Sequence, residues 1–304
     1  MLTRRQFIQG FSVAVAGGFG CGGHALAEPF GTGITRYRVS PPDWPAGLSL
    51  KLAVIADLHA CEPWMGLDRI RAIVERTNAL ETDCVLLLGD YVAGDGMCRY
   101  SDPIKHEVWA SALGRLEAPL GVHAVLGNHD WWEDAEVQRR GRGMPKAGLA
   151  LQDAGIAVYN NDCVRLAKNG SALWLAGLGD QWAFRTKAGA KHWRDSGNAG
   201  TDDLANTLAK VRDDAPVVLM AHEPDIFPQV PDRVALTVSG HTHGGQVRVL
   251  GYAPIVPSRF GARYLYGHIV EEGRNLVVSG GLGCSGVPVR FGSPPEIVVI
   301  EVSA

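Results

Sequence analysis

Three short, almost wholly apolar runs in the first half of the chain each stop at polar residues. Leu50-Lys51-Leu52-Ala53-Val54-Ile55-Ala56 stops at Asp57-Leu58-His59, Val85-Leu86-Leu87-Leu88 at Gly89-Asp90, and Val122-His123-Ala124-Val125-Leu126 at Gly127-Asn128-His129-Asp130. Runs this short and this apolar predict strands buried on both faces. Between the first two, Leu67, Ile70, Val74 and Thr77 recur at helical spacing, and a second helix is predicted over roughly 104–117. The β-α-β-α-β alternation predicts a parallel sheet with right-handed crossovers. Its polar residues then lie at C-terminal strand ends, where open α/β sheets bind ligands.

The second half repeats the theme. After Arg139, Arg140 and Arg142, read as a solvated loop, a helix is predicted near 145–154 and strands over 156–158, 164–166 and 173–178. Asn169-Gly170 has the chemistry of a two-residue hairpin turn. A helix over about 202–212 precedes a strand at 217–220 that stops at His222, and a strand at 236–239 stops at Gly240-His241-Thr242-His243. Final strands are predicted near 263–270, 276–279 and 296–302. With no internal repeat or low-complexity tract, residues 50–304 read as one α/β domain of two packed sheets with helices outside. Pro41, Pro42 and Pro45 mark 28–49 as a linker.

Residues 1–27 have a different character. Thr3-Arg4-Arg5-Gln6-Phe7 is followed by a stretch, 6–27, without Asp, Glu, Lys or Arg, which predicts an export signal of the twin-arginine type. Six glycines between 10 and 23 make it a poor membrane-spanning helix. Ala25-Leu26-Ala27 is a small-residue cleavage site; retention of the signal as an anchor, a lipid on Cys21 and an ordinary N-terminal helix are the alternatives. The expected location is the periplasm or cell envelope, with the twin-arginine machinery as a partner and membrane association an open alternative. In 304 residues, a hydrophobic fraction of 46% and a charged fraction of 20% exclude a disordered, collagen-like or polytopic membrane chain. A formal net charge of −3 provides no basic face for nucleic acid. Cysteines at 21, 61, 84, 98, 163 and 284 form no CxxC pair, so neither a zinc ribbon nor a dithiol redox site is predicted. Mostly free, buried thiols are expected, which suits export of a protein already folded in a reducing cytoplasm.

The strand ends supply Asp57, His59, Asp90, Asn128, His222, His241 and His243. Carboxylate, amide and imidazole donors without thiolate suit Mn²⁺, Fe²⁺ or Zn²⁺. One ion needs four to six donors, some of them water, so seven protein donors point to two ions with one carboxylate shared. Paired ions suit in-line displacement at phosphorus. On an extended segment Asp57 and His59 face the same way, as do His241 and His243.

In order and spacing, Asp57-x-His59, Gly89-Asp90, Gly127-Asn128-His129-Asp130, His222 and Gly240-His241-x-His243 resemble the calcineurin-like metallophosphoesterases. Gly244-Gly245-Gln246 and Gly281-Leu282-Gly283-Cys284-Ser285 resemble the exported YkuE-like bacterial branch, which also includes UDP-2,3-diacylglucosamine pyrophosphatases. The resemblance implies a four-layer α/β/β/α sandwich, the metallo-dependent phosphatase fold. It implies that Asp57, His59 and His243 hold one ion and Asn128, His222 and His241 the other, with Asp90 bridging. His129 would face the scissile phosphate and assist the leaving group, oriented by Asp130. The nucleophile would be a hydroxide between the ions, available near neutral pH because they acidify water. Ala93, where purple acid phosphatases carry a metal-binding Tyr, and the presence of His59 exclude that sub-family; Tyr91 is expected to face away.

Other features are open to two readings. Trp131 and Trp132 line a groove or pack in the core, and Arg248, Arg259 and Arg290 hold a phosphate or are solvated. His24, His106, His123, His192 and His268 have no motif around them, and Gly283-Cys284-Ser285-Gly286 is not a nucleophile elbow. The expected function is an exported binuclear phosphoesterase acting on a phosphodiester or phosphomonoester. The alternatives are a glycolipid pyrophosphatase of the diacylglucosamine type, with a pyrophosphate or lipid-linked substrate, and a non-catalytic envelope protein that binds metal or phosphate.

Overall fold

A computed structural model describes residues 23–185 and 198–304. Most of the expected export signal, residues 1–22, lies outside the described residues.

Two six-stranded sheets form the centre. The first contains β1 (Gly33–Val39), β2 (Leu50–Ile55), β3 (Cys84–Leu87), β4 (Val122–Ala124) and β5 (Ala157–Val158), joined by β12 (Glu296–Val302), in the order β1-β12-β2-β3-β4-β5. The second runs β10 (Gly267–Glu271), β11 (Arg274–Val278), β9 (Val234–Ser239), β8 (Val217–Met220), β7 (Ser171–Gly177), β6 (Asp162–Lys168). The β2-β3-β4-β5 and β11-β9-β8-β7 runs are parallel, as the crossovers require; β12 is antiparallel to β2, and β6 to β7. The hairpin turn at Asn169-Gly170 is in place, with φ of 51° and 82° and Lys168 opposite Ser171.

Period-two side-chain alternation explains why the strand sequences are apolar throughout. Along β2, Leu50, Leu52 and Val54 face the other sheet and meet Leu175, Met220, Val238 and Val277. Ala53 and Ile55 face the opposite way, onto α1 (Leu67–Asn78), α2 (His106–Leu113) and α5 (Lys146–Asp153) through Ile70, Trp109, Leu113 and Leu151. The outer face of the second sheet buries Trp174, Leu219 and Leu276 against Ile226, Phe227 and Tyr264, with Leu204 and Leu208 of α6 (Leu204–Ala209) beside them. The result is the expected α/β/β/α sandwich.

The linker expectation for 28–49 is corrected. β1 pairs in parallel with β12 from Gly33 opposite Glu296 to Val39 opposite Val302. Trp44 and Leu48 are buried, and the Trp44 indole N–H donates to the Leu48 carbonyl at 2.6 Å. The prolines shape a bend between two strands of one sheet and do not mark a tether. Cys61, Cys84 and Cys284 are free and buried, Cys163 is free and half-buried, and Cys98 is free and exposed.

Candidate metal centre

The seven ligand candidates converge, buried, at one edge of the sandwich. Asp57 and His59 follow β2, Asp90 follows β3, Asn128 follows β4, His222 follows β8, and His241 and His243 follow β9. Main-chain bonds join these loops: Asp57 N–H to Gly89 O at 3.0 Å, His59 N–H to Asp90 O at 2.9 Å, and Gly240 N–H to His222 O at 3.0 Å.

Ligand atoms of Asp57, His59 and His243 lie within 4.8 Å of one another, as do those of Asp90, His222 and His241. Asp90 Oδ2 is 3.7 Å from His59 Nε2 and 3.4 Å from His222 Nε2, so one carboxylate reaches both groups. The local conformation differs from the extended segments expected. Asp57, His59, Asp90, His241 and His243 all have left-handed φ, between 47° and 68°. Each such residue costs about 1–3 kcal/mol, and together they turn the donors inward. Gly89, at φ 94°, faces the Gly127 backbone so closely that a β-carbon would overlap it.

The donor set fits divalent cations. Asn128 Oδ1 is buried without a hydrogen-bond partner, a cost normally avoided unless an ion or water completes the site. His59 Nδ1 donates to Val92 O at 3.0 Å and His222 Nδ1 to Leu88 O at 2.6 Å, which turns each Nε2 toward the cluster. Burial opposes charge on His222, but Asp90 overcomes it and holds this imidazole well above its usual pKa, so ion binding there would release its proton. Burial lowers the His59 pKa to about 4 and, with His222 beside it, that of His241 to about 3. Burial, His59 and Arg290 hold His243 well below its usual value. Neutral imidazole is the ligating form. Burial opposes charge on Asp90, but His222, His129 and His59 overcome it and hold this carboxyl well below the usual range. Chelator-treated protein is expected to melt below the ion-loaded form. At free ion about 100 times Kd, linkage adds about 2.7 kcal/mol, which calorimetry reads as a rise of roughly 5 °C in Tm. An unchanged Tm on adding Mn²⁺, Fe²⁺ or Zn²⁺ would disconnect these clusters from ion binding.

His129 is half-buried beside both groups, on α3 (Asn128–Trp132). Its backbone N–H donates to Asp90 Oδ1 at 2.8 Å, and its ring sits edge-on to His59 at 5.2 Å. Asp130 does not orient that ring, contrary to expectation. Asp130 Oδ2 accepts from the N–H groups of Asp90 and Gly127, both at 2.9 Å, and Oδ1 from those of Tyr91 and Val92, at 2.9 and 3.2 Å. It fixes the turn that presents Asp90. The residue that touches the imidazole is Glu133, with Oε1 3.2 Å from His129 Nδ1. The sequence signal for it was the i,i+4 spacing from His129. Burial works against the imidazolium, but Asp90 and Glu133 raise the His129 pKa.

The tryptophan alternative divides. Trp131 is in the core, whereas Trp132 lines a cleft of about 510 Å³ over the metal centre, edge-on to His129 at 5.3 Å. Trp182, which carries no motif, stacks on Trp132 and meets the His241 ring at 4.7 Å. Its backbone N–H donates to Oδ1 of buried Asp180 at 2.8 Å. Arg290 is fully buried: it donates to the Gly283 and Ser293 carbonyls and lies 3.1 Å from His243 Nδ1, beneath the ligands. Tyr91 faces away, its hydroxyl donating to Val125 O at 2.9 Å.

Two cation positions sharing a carboxylate, with an unligated imidazole alongside, are the equipment of a dimetal phosphohydrolase. The chain belongs to the calcineurin-like phosphoesterase family, whose model matches residues 50–245. It is 27% identical to the uncharacterized metallophosphoesterase YkuE of Bacillus subtilis, across 100% of this chain and 98% of that protein. An uncharacterized metallophosphoesterase of Aquifex aeolicus is 28% identical across 92% of this chain and 95% of its own length. Phosphodiesterase YaeI of Escherichia coli is 27% identical across 99% and 100%. The protein is thus a metallophosphoesterase, a hydrolase of a family that works with two divalent ions.

Proposed function

We propose that this enzyme is a phosphodiesterase acting outside the cytoplasmic membrane on a diester with at least one apolar arm. The observation that supports this reading most is the cleft lining. Trp132, Trp182, Pro254, Ile255 and Val287 all line it, and no Lys or Arg does so among the described residues; Arg185 stacks on Trp132 at 4.5 Å and lies 3.7 Å from Glu133, outside that lining. A monoester carries two charges and usually meets a guanidinium or ammonium. A diester carries one charge and two substituents, which a largely apolar cleft suits. Arg248, Arg259 and Arg290 are absent from the lining, which leaves the phosphate-holding alternative for them without support.

Two divalent ions, held by the seven ligands, would supply Lewis acidity toward the phosphoryl oxygens. His129 holds a proton at the rim where a leaving oxygen departs, with Glu133 behind it. Trp132 and Trp182 place apolar surface beside that position. Possession of His129, which ion binding does not require, speaks against the non-catalytic alternative. The segment around Arg4-Arg5 supports export in the folded state and a location in the periplasm or envelope.

Metal-loaded protein is expected to hydrolyse bis(p-nitrophenyl) phosphate with kcat/KM at least about tenfold above p-nitrophenyl phosphate, a difference of about 1.4 kcal/mol. A preference for the monoester would refute the diester reading. The apolar walls also favour the second reading, a UDP-2,3-diacylglucosamine-type pyrophosphatase. Release of UMP from such a substrate faster than cleavage of any diester would establish it.

A further inference from the structure

We propose that the loop formed by residues 246–260 docks the enzyme on an anionic lipid surface, with the mouth of the metal cleft facing the headgroups. Its tip is a tight hairpin. Val249 N–H donates to Tyr252 O at 2.9 Å and Tyr252 N–H to Val249 O at 3.0 Å, while Leu250 and Gly251 have φ of 51° and 84°. That is the geometry of a type I′ turn, whose first central position favours Asn, Asp or Gly. Leucine there departs from the local preference, and departures of this kind concentrate where function demands them.

The tip is also apolar and bare. Leu250 is 103% exposed, Tyr252 72%, Ile255 61% and Val249 54%. These side chains are on a convex turn, which suits penetration of a soft layer better than reception of a partner's knob. Tyr252 joins an apolar ring to a polar tip, the character of residues at membrane–water interfaces. From Arg233 to Val270 the sequence contains no Asp or Glu, although the whole chain is net acidic. Arg248 and Arg259 flank the tip in sequence, so residues 246–260 carry two cations and no acid, a composition that anionic headgroups tolerate; Arg248 also donates to Gly292 O at 3.0 Å and the Arg259 N–H to Asp225 Oδ2 at 2.8 Å. The loop continues into the site, because Ile255 is exposed and also lines the cleft over His129 and Asp90.

The N-terminal side of the chain arrives at the same edge. Val247 forms a bridge with Phe291, and the Arg248 N–H donates to Phe291 O at 2.6 Å. The His24 ring sits edge-on to Phe291 at 5.8 Å, and the Arg290 N–H donates to Ala25 O at 3.0 Å. The chain at His24 and Ala25 therefore lies beside the base of the docking loop.

The docking claim is separate from the diester reading, and one experiment distinguishes their failures. Full-length wild type and Leu250→Asn are titrated with vesicles of phosphatidylethanolamine and phosphatidylglycerol, then assayed with bis(p-nitrophenyl) phosphate in solution. Asn-Gly is the preferred pair for this turn, so the variant is expected to keep its fold, its Tm and its soluble activity within twofold. Its half-binding lipid concentration is expected to rise about tenfold, the effect of removing one buried leucine. Equal lipid requirements for the two proteins, or no vesicle binding by wild type, would overturn the proposal. So would a wild-type dimer that Leu250→Asn converts to monomer without changing the lipid requirement, since the occupant would then be a second copy. Loss of diesterase activity in wild type would count against the diester reading and leave the docking result standing.

Discussion

Asp90→Asn is expected to lower kcat for phosphoester hydrolysis by at least about 10³-fold and to reduce bound metal from two ions per chain to one or none. Asp90 Oδ2 faces both ligand groups, and Oδ1 accepts the N–H of His129, so a single carboxyl links two cation positions to the proposed proton donor. The amide has the same shape without the charge, and it turns an N–H₂ toward groups that need an acceptor. Its effect is therefore on ligation and not on packing. Metal analysis of the purified variant beside its kcat is the check. Two tightly held ions together with more than a tenth of wild-type activity would defeat the shared-carboxylate arrangement. Acid has a related consequence. The Asp90 pKa is depressed in the fold, so its stabilising contribution is present above the ordinary carboxyl value and is lost as pH falls through the folded one.

His129→Asn should lower kcat by about 10²–10⁴-fold while two ions stay bound and KM changes little. The ring packs edge-on against His59 while its Nδ1 pairs with Glu133, and Asn leaves the backbone N–H to Asp90 intact. The loss should be largest for an alkyl diester, whose leaving oxygen needs a proton, and smallest for an activated phenol. An equal loss for both would mean that His129 acts on something other than departure. Glu133→Gln gives the complementary readout. Glu133 raises the His129 pKa, so its removal lets that pKa fall, and the alkaline limb of the kcat profile should shift to lower pH. A profile that stays in place would separate Glu133 from the proton.

The strands that carry the site were legible because burial on both faces leaves a continuous apolar run, and each run stops where its polar cargo begins. Val217–Met220 is a case in which pattern and strand coincide. β1 was not legible. Gly33-Ile34-Thr35-Arg36-Tyr37-Arg38-Val39 is an edge strand with arginines exposed to solvent, so its sequence shows little of the apolar signal, and the prolines after it suggested a tether. At the metal centre the seven donors were readable as chemistry at strand ends. Their left-handed backbone was not, because φ at Asp57 or His241 is set by loops that meet only in the folded chain. The role of Asp130 was misread for the same reason. Adjacency to His129 in sequence suggested a partner for the ring, while one helical turn aims the carboxylate back at the amides of Asp90, Tyr91 and Val92.

β12, the last of these strands to leave the ribosome, is inserted between β1 and β2, the first two to appear. The parallel pairing of β1 therefore has no template until synthesis has passed residue 302, and the sheet carrying Asp57, Asp90 and Asn128 remains open along one margin until then. Closure is a late, long-range event, slow by the measure of contact order. The sheet begun first is therefore finished only after every strand of the other sheet has been made.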